Sequence, residues 1–263
     1  MSITVPALNH IRQKSRIIKG MNNQRIVVHT VNLFSIDNDQ LYPESVATIG
    51  NQEYWNWQEP MMLTGYRARS PRMHRSLSGY LFNYLDDPDI LFCPNAPQKY
   101  KYLKQAWKQG DEWDNPDTPP QKDPVSGTYC FYWNYTGYIS DKKLFKGPRN
   151  AAGGKDQSKL LVSDYFGFNH WRNRNSYSSC ELFQNSSVVE GTYLSSDFWS
   201  CQDDLESSLP KITLNAGYTD GHVENYSPSN AVPMRVIIDP TSSKPYPDDI
   251  APGIFYLPNN AIH

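Results

Sequence analysis

Acidic side chains are absent from residues 1–36, which carry Arg12, Lys14, Arg16, Lys19 and Arg25. Apolar residues in the same stretch fall at Val5, Leu8, Ile11, Ile18, Val27, Val28, Val31 and Phe34, mostly three, four or seven apart. That spacing matches the 3.6-residue turn of an α-helix, not the two-residue alternation of a strand. Pro6 suits a first turn, where its missing N–H costs nothing. Gly20 is a weak point inside the helix, costing about 1 kcal/mol relative to Ala. The helix is expected to end in the polar run Asp37-Asn38-Asp39, before Tyr42-Pro43.

The chain has 263 residues, enough to bury a real core as one large domain or two small ones. Aromatics reach 13%, with 18 Tyr and 7 Trp, which sets the chain apart from disordered sequences. With 20 Pro and 15 Gly it should have many turns and few long helices. Its net charge of −2 gives no overall attraction to nucleic acid or an anionic membrane. No stretch approaches the roughly 20 apolar residues of a membrane span. The opening MSITVPALNHIRQ lacks the charged and then apolar regions of a signal peptide.

Past the helix, residues 44–75 read as irregular and Ser76–Leu85 as a short amphipathic helix broken by Asp86-Asp87-Pro88. Ile90–Cys93 reads as a short buried strand stopped by Pro94, and residues 108–127 as a polar, Pro-rich loop. Tyr129–Tyr138 and Lys159–Asp164 read as further strands. Lys211–Tyr218 and Val223–Tyr226, joined through Asp220-Gly221, carry a hairpin signal. The Pro-rich end reads as an extended tail with at most one strand, around Met234–Ile238.

The four cysteines, Cys93, Cys130, Cys180 and Cys201, form no CxxC pair, which removes the main support for a zinc knuckle or a thioredoxin-type motif. An even count suggests disulfides and an oxidising compartment. Cys180–Cys201 would close a short loop and Cys93–Cys130 would be the other pair. The alternative is four buried thiols.

Taken in order, several pieces of the sequence resemble the prepilin-type processing-associated family of type II secretion pseudopilins. Val5-Pro6-Ala7-Leu8-Asn9 followed by Arg12, Lys14 and Arg16 looks like the exit of a pseudopilin helix from the membrane. Met21-Asn22-Asn23-Gln24, Asp37-Asn38-Asp39 and Tyr42-Pro43 follow in the family's order. Phe92-Cys93-Pro94, Val162-Ser163-Asp164 and Asp220-Gly221-His222-Val223 match its later landmarks. The family pattern also places a His ten residues before the Asp, where this chain has Pro210.

The resemblance implies an α+β, pilin-like fold: a long N-terminal helix packed on a small antiparallel sheet with long irregular loops. Residues 1–40 would be the distal half of the pilin helix, and residues 41–263 a β-rich head with a Pro-rich tail. It implies a structural, non-enzymatic subunit of a bacterial secretion or pilus-type assembly, with other pseudopilin subunits as partners through the helix. It also implies a periplasmic or cell-envelope location, anchored in the inner membrane, with the extracellular side as the alternative. The apolar half-helix that stores such subunits in the membrane is expected just upstream of Met1. The basic face of Arg12, Lys14, Arg16 and Lys19 would then lie close to the anionic leaflet.

Competing chemistry is weaker. Asp220 and His222 could form a catalytic dyad of a hydrolase, but the triplet reads more simply as a turn: Gly supplies positive φ and Asp tolerates it. A dyad would also need a third partner and a pocket. The six histidines form no HxH or HExxH pair. Asp203, Asp204, Asp239, Asp248 and Asp249 could supply oxygens to calcium, but no Asp-x-Asp-x-Asp-Gly loop exists, so no cofactor is expected. The basic run could touch nucleic acid, yet the net charge argues for a solvated helix face instead. Trp55, Trp57, Trp133 and Trp171 could be sugar-stacking platforms, making an extracellular carbohydrate-binding module the alternative function. Core packing explains such aromatics equally well.

Overall fold

The computed structural model describes residues 4–47, 59–64, 75–94, 102–113, 116, 125, 127–140, 143–168, 213–236 and 254–262. Helix α1 (Thr4–Asp37) is about 50 Å long at 1.5 Å per residue. It stops inside the expected polar run, where Asp39 and Gln40 turn left-handed with φ of 52° and 64°. The Gln40 N–H then reaches back to the Ser35 carbonyl at 2.8 Å, and Asn38 Nδ2 donates to the Phe34 carbonyl at 2.8 Å. Side chain and backbone together satisfy carbonyls that the helix end leaves open. No helix among the described residues is long and apolar enough to cross a membrane.

The architecture is α+β. After α1 come the short helices α2 (Leu77–Leu81) and α3 (Leu103–Gln109), then the strands β1 (Tyr129–Phe131), β2 (Thr136–Ser140), β3 (Lys143–Lys146), β4 (Leu160–Asp164), β5 (Gly167–Phe168), β6 (Leu214–Tyr218), β7 (Val223–Tyr226), β8 (Ala231–Val236) and β9 (Ile254–Pro258). The expected single small sheet is instead two antiparallel sheets, one ordered β1-β4-β6-β7 and the other β3-β2-β8-β9-β5.

Helix α1 lies against β4, β6 and β7 of the first sheet. Its Val27, Val28 and Val31 are fully buried and share one apolar cluster with Leu160, Val162, Leu214 and Ala216. Gly217 on β6 sets the closeness of that approach. A Cβ there would lie 2.9 Å from Val28 Cγ2 and 3.0 Å from Val162 Cγ1.

Several local expectations need correction. Ile90–Cys93 is not a strand: Asp87 Oδ1 accepts the Asp89 N–H at 3.0 Å and starts a 3-10 turn over Pro88–Leu91. Leu91, Phe92 and Cys93 are buried all the same, a case where a short run alone does not decide between turn, helix and strand. The helix expected over Ser76–Leu85 covers only Leu77–Leu81, capped by Ser76 Oγ, which accepts the Gly79 N–H at 3.0 Å. At the start of the expected 108–127 loop, α3 and a 3-10 turn over Gly110–Glu112 occupy the chain. Tyr129–Tyr138 splits into β1 and β2 because Asn134 takes φ 52° between them. The Pro-rich end carries two strands, and β9 is buried along its whole length.

The Cys93–Cys130 disulfide does not form: both residues are buried thiols. The Cys130 thiol bonds to the Tyr132 hydroxyl, and burial pushes its pKa well up. Cys180 and Cys201 lie outside the described residues, as do Asp203, Asp204, Asp239, Asp248 and Asp249.

Candidate functional site

Helix α1 has two faces. The buried one carries Asn23, Gln24, Val27, Val28, Thr30, Val31 and Ser35. The other carries Leu8, Ile11, Ile18, Ile26, Leu33 and Ile36, exposed by 47, 63, 58, 41, 53 and 62%. At 100° per residue these six fall within a stripe about 80° wide, almost opposite the buried face. By spacing alone, Leu8, Ile11 and Ile18 fall in one pattern with the valines. Nine residues separate Ile18 from Val27, which is two and a half turns, so the pattern divides between opposite sides. Along the first half of the helix, Arg12, Lys14, Arg16 and Lys19 are all exposed, as expected of a basic face.

The β6–β7 hairpin turn lies beside this helix. Asn32 Nδ2 donates to the Thr219 carbonyl at 3.2 Å, and His29 Cε1 lies 3.9 Å from where a Gly221 Cβ would be. Gly221 has φ 92°, the left-handed region the turn reading required. Asp220 Oδ1 accepts the His222 backbone N–H at 3.1 Å and pairs with His222 Nδ1 at 2.5 Å. The imidazole stacks on Tyr218 with ring centroids 4.5 Å apart and planes 8° from parallel. Partial burial works against ionisation of Asp220, but the two His222 contacts and the Lys159 charge outweigh it and hold the carboxyl below its usual range. The structure therefore brings Asp220, Gly221 and His222 together as a self-satisfied turn, with the carboxylate committed to closing it.

Beneath α1 lies a polar group that joins Gln24 and Asp164, which stand in the sequence only as separate landmarks. Gln24 Nε2 donates to Asp164 Oδ1 at 3.1 Å. Asp164 Oδ2 accepts the Asn215 backbone N–H at 2.6 Å and its Nδ2 at 2.9 Å. Asn225 Nδ2 continues the chain to Asn215 Oδ1 at 2.7 Å. Burial raises the Asp164 carboxyl to about 7, with the Asn215 and Gln24 donors pulling the other way. The signal for Gln24 was available: it stands three and four residues before Val27 and Val28, on their face.

The aromatic platform is not supported at Trp133. That ring is 1% exposed and packs on Phe131 at 5.2 Å between centroids, so a sugar has no access to it. Trp55, Trp57 and Trp171 lie outside the described residues. No cluster of three or more His, Cys, Asp or Glu suited to a metal ion exists among the described residues. In comparisons with known proteins the chain matches no family model, no curated protein and no solved structure.

Proposed function

We propose that this chain is a structural, non-enzymatic subunit of a type II secretion or pilus-type assembly, pilin-like in seating a long N-terminal helix on an antiparallel sheet. One observation carries the reading. The helix is fixed to the head by one face and presents a second apolar stripe, about 42 Å from Leu8 to Ile36, on the outside. Exposed apolar side chains scattered singly are ordinary, whereas six aligned on one helix face, though interrupted by Ser15, Asn22 and His29, are the pattern a packed partner would cover. The motif order from Val5-Pro6-Ala7-Leu8 to Asp220-Gly221-His222 supports the same reading. On it, other pseudopilin subunits pack along the outer stripe, and the basic first half of α1 lies near the inner membrane in the cell envelope.

The test is site-specific cross-linking in cells producing the protein at native level. A photo-reactive residue at Ile18 or Ile26 should capture other envelope subunits, and one at Val28, which faces the head, should not. The double variant Ile18→Glu/Ile26→Glu should abolish capture without lowering the melting temperature. Capture that is indifferent to the stripe would sink the proposal.

A further inference from the structure

As far as Ile36, the flanks of the outer stripe are charged with one sign. On a helical projection, Arg12 and Lys19 sit roughly 60–80° to one side of the stripe's centre, and Lys14 and Arg25 roughly as far to the other. All four are exposed. Residues 4–36 of α1 contain no acid to balance them. Flanking charges of this kind select the partners of helix–helix seams: opposite signs attract across the seam and like signs exclude.

A second copy brings the same acid-free surface. The acids at the far end of the stripe are few: Asp37 on the helix and Asp39 just past it, both exposed. Asp37 accepts from the Tyr84 hydroxyl, Glu44 pairs with Arg75, and Asp220 is held by His222. Glu224 accepts from both Tyr218 and Asn260. A staggered copy therefore brings only Asp37 and Asp39 against four flanking bases, a poorer charge match than a helix with acids along its whole seam. A lipid surface fits less well than a helix. The stripe is narrow, and Ser15, Asn22 and His29 recur within it at seven-residue steps, which a helical seam tolerates and an acyl boundary does not.

We propose that the outer stripe of α1 docks a different chain: a helix whose apolar seam is flanked by acidic side chains, in preference to a second copy of this chain or a membrane. The inference rests on the assembly reading above and names the partner's chemistry.

The experiment uses the full chain and two helical peptides of about 30 residues with the same apolar seam, one flanked by Glu and one by Lys. Fluorescence anisotropy should show binding to the Glu-flanked peptide alone. That binding should weaken about tenfold or more between roughly 0.05 and 0.5 M salt. The chain itself should sediment as a monomer at low salt. Reversing the flanks (Arg12→Glu, Lys14→Glu, Lys19→Glu and Arg25→Glu together) should switch the preference to the Lys-flanked peptide.

Equal binding of both peptides, or low-salt self-association that flank reversal abolishes, would overturn the proposal. So would binding to vesicles of roughly 30% phosphatidylserine by a chain that takes up neither peptide. The failures separate cleanly. If Ile18→Glu/Ile26→Glu abolishes peptide binding but flank reversal changes nothing, the stripe is a docking surface and the charge rule is wrong. If neither peptide binds and cellular cross-links ignore the stripe, the assembly reading falls with it.

Discussion

Gln24 on α1 and Asp164 on β4 share a buried hydrogen bond of 3.1 Å that ties the long helix to the centre of the first sheet. The other partners of that carboxyl are the backbone and side-chain amides of Asn215, all neutral groups. A carboxyl so placed keeps its proton far longer than in the unfolded chain, where it titrates near 3.8 against about 7 in the fold. Between those values the unfolded state gives up its proton and the folded state holds it. The contribution of Asp164 to stability is therefore fully present below about pH 4, declines to about pH 7 and is level above that. Urea unfolding should show the advantage of wild type over Asp164→Asn shrinking by about 2–3 kcal/mol from pH 5 to pH 8. An advantage that is flat or grows with pH would contradict the placement of the carboxyl.

Gly217 should not tolerate a side chain. Its Cβ would meet Val28 Cγ2 at 2.9 Å and Val162 Cγ1 at 3.0 Å, one on the helix and one on the neighbouring strand. Gly217→Ala is expected to cost about 1–3 kcal/mol by overpacking, and Gly217→Val more. Equilibrium unfolding measures it, and an unchanged midpoint would mean that α1 is not seated on β6 as described.

Trp133→Ala should destabilise the fold by about 3–5 kcal/mol, because the ring is fully buried beside Phe131. A variant that lost affinity for a glycan at unchanged stability would restore the stacking reading. Thermal unfolding and glycan binding on the same preparation decide between them.

How far the sequence spoke depended on whether its signals were local. The helix end at Asp37-Asn38-Asp39 and the β6–β7 hairpin are set by nearby residues, and both could be read. β4 could be read as well, because a five-residue buried strand is an apolar run with its own limits. β9 was hidden: Ile254–Pro258 is surrounded by prolines, and only its pairing with β8 makes it a strand. The left-handed Asn134 that splits β1 from β2 is held by the Tyr42 and Pro43 carbonyls, which accept its Nδ2 at 3.2 and 2.7 Å from some 90 residues away. The outer stripe was visible as apolar residues, but assigning it to a face needed the helical phase from Ile18 to Val27. Gln24 and Asp164 stand in motifs of their own, but their joining could not be read because the group draws on α1, β4, β6 and β7.

The thiols offer a direct check on the missing disulfide. Cys93 and Cys130 are both buried, at 3% and 1% exposure. Burial also disfavours the Cys130 thiolate, the reactive form. Alkylation followed by mass mapping should leave both unmodified in the native protein and label both after denaturation without reductant. A Cys93–Cys130 cross-linked peptide from non-reduced material would contradict the structure.

The Asp-Gly-His turn can be divided between backbone and side-chain contributions. Gly221 sits at φ 92°, where a Cβ meets its own backbone whatever the surroundings. The space itself is open, since the nearest atom to a Cβ there is His29 Cε1 at 3.9 Å. Gly221→Ala should therefore act through strain alone and cost about 1–3 kcal/mol. Asp220→Ala removes the acceptor of the His222 N–H at an exposed site and should cost about 0.5–1.5 kcal/mol. If the triplet is a turn, both losses appear in unfolding free energy and neither changes which helix the outer stripe captures. If Asp220→Ala leaves stability untouched yet removes a hydrolytic activity of the purified chain, the turn reading gives way to the dyad.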